Sequence, residues 1–182
     1  MWRLYFILIV IRYAKPNINM DYIKYYKEIK DKLKKFSDVV YYEPMSNSEI
    51  LEIEKRIGRT IKPLYSEYLS TFGMTQDVFD ELQTSINLFL KNFDFINNSL
   101  MDYLPISSDI DDEEKIFLIN NNDLQDDFVY YVKVDSNDKI GKIRKRKHFH
   151  QIIEESISNR ATASANCKPL SKKLNIKLVN QR

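Results

Sequence analysis

The sequence predicts an α+β fold, in which helices pack on an antiparallel β-meander sheet within a single domain. Two observations support this class. Apolar residues recur at helical spacing through the first half of the chain. The second half instead contains short runs rich in β-branched and aromatic residues, separated by turns rich in Asn and Asp. A chain of 182 residues with 43% hydrophobic residues is long enough to bury one substantial core.

The first helix is predicted over residues 21–36, where apolar side chains share one face and lysines occupy the others. The apolar positions are Tyr22, Tyr26, Ile29, Leu33 and Phe36. A basic amphipathic helix can also lie on a membrane surface. Asp21, Glu28 and Asp31 dilute the positive charge, however, which favours a helix docked on the core. A short strand is predicted next, over residues 39–42.

Two short helices are predicted between Ser46 and Gly73. Ser46 and Glu49 have the S-x-x-E spacing of a capping box, in which each side chain accepts a hydrogen bond from a backbone N–H at the helix start. Gly58 suits the left-handed cap that ends the first helix, and Pro63 suits the first turn of the second. The apolar faces consist of Ile50, Ile53 and Ile57 and of Tyr65, Tyr68, Leu69 and Phe72.

A third helix is predicted over residues 76–92, and four strands follow it. The apolar spacing of the helix continues through Phe79, Leu82, Ile86, Phe89 and Phe93. Two turns, at residues 121–123 and 136–138, separate strands, because Asn and Asp tolerate left-handed backbone angles. The strands are predicted over residues 103–106, 115–120, 128–134 and 140–144.

The segment from Ser46 to Gly73 resembles the start of the SUKH superfamily, the SMI/KNR-type domain. The matching positions are Glu49, Ile50, Glu54, Ile57, Gly58, Pro63, Tyr65, Leu69, Phe72 and Gly73. Residues 103–106 are similar to a family strand, and residues 148–157 are similar to its closing helix. The resemblance covers residues 46–158, and it implies an α+β domain that binds other proteins.

The chain departs from the family pattern at three places. Lys62 separates Ile61 from Pro63, where the family usually has adjacent Leu and Pro. Met74 follows Phe72 and Gly73 without the family's usual Asn-Gly pair. Trp2 is the sole tryptophan, so the tryptophan that many members carry inside the domain is missing from this sequence.

Three segments are predicted along the chain. Residues 1–19 form a hydrophobic extension, whose apolar run Leu4–Ile11 is far shorter than the roughly 20 residues that cross a bilayer as a helix. This extension is interpreted as a leading strand, a signal peptide or a stretch upstream of a start at Met20. Residues 20–158 form the domain. Residues 159–182 form a basic tail that is predicted to be disordered.

Charge divides the chain into an acidic body and a basic end. Residues 1–138 carry 16 Lys and Arg against 24 Asp and Glu, a net charge of −8, whereas residues 139–182 carry 12 against 2, or +10. The predicted partner-binding surface consists of Asp109, Asp111, Asp112, Glu113, Glu114, Asp126 and Asp127. Such a cluster steers a basic protein into contact. Calcium binding and a solvated loop are the alternatives, and the run lacks the glycine of an EF-hand loop.

The opposite charge is concentrated in a basic cluster near the end of the fourth predicted strand. Its members are Lys142, Arg144, Lys145, Arg146 and Lys147. Such a cluster can contact nucleic-acid phosphates. It can also protect an edge strand from pairing with another chain, which is the favoured interpretation.

The sequence contains no residue pattern that indicates catalysis. Its three glycines stand apart, which excludes a phosphate-binding loop. His148 and His150 lie roughly 200° apart if a helix begins at His148, so we do not expect them to share a metal ion. Cys167 is the sole cysteine, which excludes a disulfide framework and favours a reducing compartment. We therefore predict a cytoplasmic protein that is not an enzyme and has no catalytic residue, metal or cofactor.

Three functions are open at this point. The resemblance implies an immunity protein that binds a toxin, such as a nuclease, and covers its basic active site with an acidic surface. It equally allows an intracellular regulatory adaptor of the fungal cell-wall-regulator type, which would bind partners through the basic tail. A third hypothesis is a nucleic-acid binder that uses residues 142–147.

Overall fold

The computed structural model describes residues 21–36, 40–74, 77, 79, 82, 84–109 and 115–163. Within these residues five helices and a four-stranded sheet form, which confirms the α+β class. The order along the chain is α1 (Tyr22–Leu33), α2 (Asn47–Ile57), α3 (Pro63–Phe72), α4 (Ile86–Ile96), β1 (Tyr103–Asp109), β2 (Lys115–Asn120), β3 (Phe128–Lys133), β4 (Arg144–His148) and α5 (residues 149–163).

The sheet is an antiparallel meander with the strand order β1-β2-β3-β4. Phe117 of β2 lies opposite Tyr131 of β3, and Ile119 lies opposite Val129. Side chains alternate between the two faces of a strand. These four residues therefore lie on the face that packs against the helices, together with Leu104 and Ile106 of β1. A second, smaller apolar cluster lies on the other face, where Ile116, Leu118 and Val132 pack with Ile96 of α4.

The main core is dominated by aromatic rings that α1, α3 and α5 contribute. The buried ring of Tyr68 lies 5.3 Å from that of Phe149 and 5.6 Å from that of Phe72, measured between centroids. The rings of Tyr26, Tyr65 and Phe79 lie within 6.0 Å of it. Tilted, edge-on and stacked ring pairs of this kind add stabilisation beyond the burial of apolar area. The three helices are therefore fixed to one another through Tyr68.

Two buried tyrosines allow a matched test of hydroxyl bonding in this core. The Tyr26 hydroxyl donates to the Leu64 carbonyl over 2.8 Å, whereas the buried Tyr65 hydroxyl has no hydrogen-bond partner among the described residues. We expect Tyr26→Phe to lower the free energy of unfolding by about 1 kcal/mol and Tyr65→Phe to leave it unchanged or raise it. Urea denaturation of both variants measures the free energies of unfolding. An equal loss of stability in the two variants would contradict the prediction.

The predicted caps of α2 and α3 are confirmed. The Glu49 amide donates to Ser46 Oγ over 3.3 Å, and the Ser46 amide donates to Glu49 Oε2 over 2.7 Å, which completes the capping box. Gly58 ends α2 in the left-handed conformation, with a φ of 69°. Pro63 occupies the first turn of α3. These contacts join residues that are close in sequence, so a sequence pattern is sufficient to predict them.

Several predicted boundaries are wrong. The strand predicted over residues 103–106 extends to Asp109, and the helix predicted to end at residue 92 continues to Ile96. The helix predicted over residues 76–92 begins only at Ile86. The Ser85 hydroxyl accepts a hydrogen bond from the Leu88 amide and so caps the helix at this point. The described residues between Gly73 and Ser85 lie outside an α-helix. The strand predicted over residues 140–144 runs instead over Arg144–His148. Consequently, the closing helix begins at residue 149 and not at His148.

The segment predictions extend partly outside the described residues. The hydrophobic extension, residues 1–19, lies outside them altogether. Of the predicted tail, residues 159–163 continue α5, and residues 164–182 lie outside the described residues, as does Cys167. In the predicted strand over residues 39–42, residue 39 lies outside the described residues and Tyr42 forms an isolated bridge.

Candidate functional site

The loop between β2 and β3, residues 121–127, has a backbone that its own side chains hold in place. The Asn120 carboxamide oxygen accepts the amides of Asn122 and Asp123 over 3.1 and 3.2 Å. One Asp123 carboxylate oxygen accepts the Gln125 amide over 3.0 Å. Such bonds from a side chain to the backbone two or three residues on are typical of Asn and Asp in turns. The loop therefore has a defined conformation before any partner binds.

The buried side chain of Lys62 binds the backbone of this loop. Its side-chain nitrogen donates to the carbonyls of Asn120, Asp123 and Asp126 over 2.9, 2.9 and 2.5 Å, and the residue is 2% exposed. The Lys62 amide also donates to the Asn121 side chain over 2.9 Å. Burial lowers the pKa of the Lys62 ammonium, and the carboxylates of the loop partly offset that effect. Lys62, which stands between Ile61 and Pro63, thus anchors the loop.

A neighbouring turn, at Met101 and Asp102, lies against the loop. The Asn121 amide donates to the Asp102 carbonyl over 2.7 Å, and the Asn122 side chain donates to the Asp102 carboxylate over 2.5 Å. Arg59 holds the turn from the other side, because its guanidinium donates to the Met101 carbonyl. Loop and turn together form one fixed surface at this end of the sheet.

This surface combines carboxylates with exposed apolar side chains. Leu124 is 62% exposed and Met101 is 67% exposed. We call the exposed set the acidic end surface, and it consists of Met101, Asp102, Asn122, Asp123, Leu124 and Gln125. Sequence reasoning missed the two apolar residues, although the position of Leu124 between two turn-forming groups of Asn and Asp was a usable indication of exposure.

The described members of the predicted partner-binding surface are Asp109, Asp126 and Asp127. Asp109 ends β1, Asp111 to Glu114 lie outside the described residues, and this run adjoins the Lys115 end of β2. Asp126 and Asp127 lie beyond the other end of β2. A strand of six residues separates Asp109 from Asp126 and Asp127 by roughly 20 Å. Asp109 and the pair Asp126 and Asp127 therefore lie at opposite ends of the sheet.

Asp126 is bonded within the domain. One carboxylate oxygen accepts the Phe128 amide over 3.1 Å, and the other accepts the Tyr130 hydroxyl over 2.8 Å. Burial and the Asp126 carboxylate both raise the pKa of the Tyr130 phenol above its ordinary value. Asp126 is therefore half-buried and bonded within the domain, and it does not belong to the acidic end surface.

Asp127 faces the two histidines of the chain. One carboxylate oxygen lies 2.5 Å from His148 Nδ1, and the other lies 3.2 Å from His150 Nδ1. The histidine side chains are each 33% exposed, and that of Asp127 is 27% exposed. The two histidines do not diverge as predicted for a helix, because His148 ends β4 and only His150 belongs to α5.

The basic cluster of residues 142–147 includes most of β4, which pairs with β3 at one edge of the sheet. Its side chains engage different partners: Lys145 Nζ lies 3.2 Å from the centre of the Phe128 ring, and the Arg146 guanidinium lies 4.8 Å from that of Phe117. Lys147 forms an ion pair with Glu155 at 2.5 Å. The cluster is spread over both faces of the strand, which is the arrangement of a protected edge and not of a continuous phosphate-binding stripe.

Comparisons with models of known protein families, with curated proteins and with solved structures find no match for this chain. The likeness to the SUKH superfamily accordingly stays a prediction from the sequence. Among the described residues, no helix has both the length and the apolar character that crossing a bilayer requires.

Proposed function

We propose that this protein is a non-enzymatic protein-binding domain that neutralises a basic protein toxin by covering it with the acidic end surface. The observation that carries the proposal is Leu124, which is 62% exposed at the tip of a loop that Lys62 holds in place. The SUKH resemblance supplies the immunity context. In this view the carboxylates of residues 109–114 are not required for binding.

Three properties of the acidic end surface favour binding to a basic protein. A loop that is already ordered loses little conformational entropy on binding, so more of its contact energy appears as affinity. An apolar side chain within a polar rim has the anatomy of an interface hot spot, where few residues contribute most of the binding energy. Asp102 and Asp123 beside Leu124 then favour a basic partner and accelerate its association.

The partner is found by immobilising the full chain, exposing it to lysate of competing cells, and identifying the retained protein by mass spectrometry. Binding of the purified partner is then compared between wild type and variants. We expect Leu124→Glu to weaken the affinity by about 30-fold, equivalent to about 2 kcal/mol. Asp123→Lys should slow association and reduce its dependence on salt concentration.

A matched control is Leu51→Glu on α2, because Leu51 is also 62% exposed but lies away from the loop. It should bind the partner as tightly as wild type does. Equal binding by Leu124→Glu and wild type would refute the assignment to the acidic end surface. A variant with residues 111–114 changed to lysine tests the acidic segment between β1 and β2, and loss of binding in that variant alone would transfer the site to this segment. A partner whose activity survives complex formation would refute neutralisation.

A further inference from the structure

Three potential metal ligands converge beside β3, although they come from three different elements. Asp127 precedes β3, His148 is the last residue of β4, and His150 lies in the first turn of α5. One ligand atom from each of them lies within 4.8 Å of the other two. The set therefore contains two imidazoles and one carboxylate, which is a ligand combination of transition-metal sites in proteins.

Backbone pairing explains why these side chains meet. Phe128 lies opposite His148 across the β3–β4 ladder, and the Phe149 amide donates to the Asp127 carbonyl over 2.8 Å. The chain changes from strand to helix at residue 149, so residues 148 and 150 no longer follow the geometry of either element alone. Their rings stack with centroids 5.2 Å apart and planes inclined by 29°.

Neighbouring residues contact the ring of His148 and the backbone of His150. The Phe128 ring lies 3.6 Å from the His148 ring, measured between centroids. The Tyr25 hydroxyl of α1 donates to the His150 carbonyl over 3.4 Å. Surroundings that fix the orientation of ligands are a regular feature of metal sites, because they reduce the reorganisation that binding requires.

We propose that Asp127, His148 and His150 form a binding site for one divalent transition-metal ion of the Zn²⁺ class, with both Nδ1 atoms and one carboxylate oxygen as ligands. In a tetrahedral zinc site, ligand atoms are separated by about 3.3 Å, given bonds of about 2.0 Å. The 3.2 Å between Asp127 Oδ2 and His150 Nδ1 already fits this separation. His148 Nδ1 lies 2.5 Å from the other carboxylate oxygen, Oδ1, in a contact that bonding to the ion would replace. The partial exposure of all three side chains gives the ion a path and leaves a fourth position for water.

The alternative is a metal-free bridge in which both imidazoles bond the same carboxylate. The two arrangements differ in their affinity for zinc, which a titration of the full chain with Zn²⁺ measures by calorimetry. The chain offers a clean background, because it has two histidines and one cysteine in all. For this titration the protein is prepared with a purification tag that contains no histidine. The variant Cys167→Ser, which lacks the single thiol, serves as a control.

We expect one Zn²⁺ per chain in both wild type and Cys167→Ser. Asp127→Asn, His148→Gln and His150→Gln should each weaken zinc affinity by at least about tenfold. Glu155→Gln, one turn farther along α5, should leave it unchanged. Absence of stoichiometric binding by wild type, or ligand variants that bind as wild type does, would overturn the proposal.

A measurement on the wild-type protein does not depend on whether the variants fold. Nitrogen-15 spectra of the imidazole side chains should show both Nδ1 resonances shifting when Zn²⁺ is added. Resonances that stay in place would exclude the site. The inference goes beyond the proposed function and is independent of it, because Leu124→Glu should retain full zinc binding whatever its effect on a protein partner.

Discussion

Replacing Lys62 with methionine is expected to lower the free energy of unfolding by about 3 kcal/mol. Methionine matches the length of lysine but removes the donor to the three carbonyls of Asn120, Asp123 and Asp126. Hydrogen bonds from a charged donor contribute about 1.5 to 3 kcal/mol each. Removing the buried ammonium also relieves its desolvation cost, so the net loss is smaller than the sum of three bonds.

Urea denaturation measures this loss, and Lys91→Met supplies the control. Lys91 is exposed on α4, and its replacement should change the free energy of unfolding by less than about 0.5 kcal/mol. Amide hydrogen exchange adds a local measurement, because residues 121–127 should lose protection in Lys62→Met before the helices do. Equal stability of the two variants would show that Lys62 does not support the loop.

Gly73→Ala is expected to be at least as destabilising, with a loss of about 3 kcal/mol or more. Gly73 has a φ of 75° and a ψ of −170°, a backbone conformation that is essentially restricted to glycine. A Cβ atom there would lie 1.7 Å from the Glu43 carbonyl oxygen. The backbone must therefore move to admit any side chain, which would separate the end of α3 from the segment before α2.

Gly58→Ala is the matched control, because Gly58 also has a positive φ but has open space around its Cβ position. Its cost should be limited to the left-handed backbone conformation, about 1 to 2 kcal/mol. Thermal or urea denaturation of the pair measures the difference. If both variants lose the same stability, the contact with Glu43 has no energetic effect.

Local patterns in the sequence were enough to predict much of this fold. The capping box of Ser46 and Glu49 and the left-handed Gly58 were confirmed because each depends on residues within a few positions of one another. Strand β2 has the predicted limits, Lys115–Asn120, since its apolar run is bounded by turn-forming residues. The sequence also predicted the antiparallel order of the meander, because short turns can join only neighbouring antiparallel strands.

Boundaries that depend on pairing could not be predicted in this way. The residues of β4, Arg144–His148, have no apolar alternation, and they form a strand because β3 presents a free edge to them. A register shift between β3 and β4 then places His148 opposite Phe128. The histidines meet Asp127 as a consequence of that pairing, and their spacing along the chain alone indicated the opposite.

Sequence patterns were thus sufficient for the fold class, the helix caps of α2 and α3 and the acidic character of the body. Which charges lie together, which apolar side chain is exposed and which lysine is buried depend on how the elements pack. The six residues of β2 separate Asp126 from Asp109, and the loop that Lys62 anchors presents Leu124 to solvent. The physical reason is that caps and turns depend on neighbours along the chain, whereas sites depend on contacts between residues that are distant in sequence.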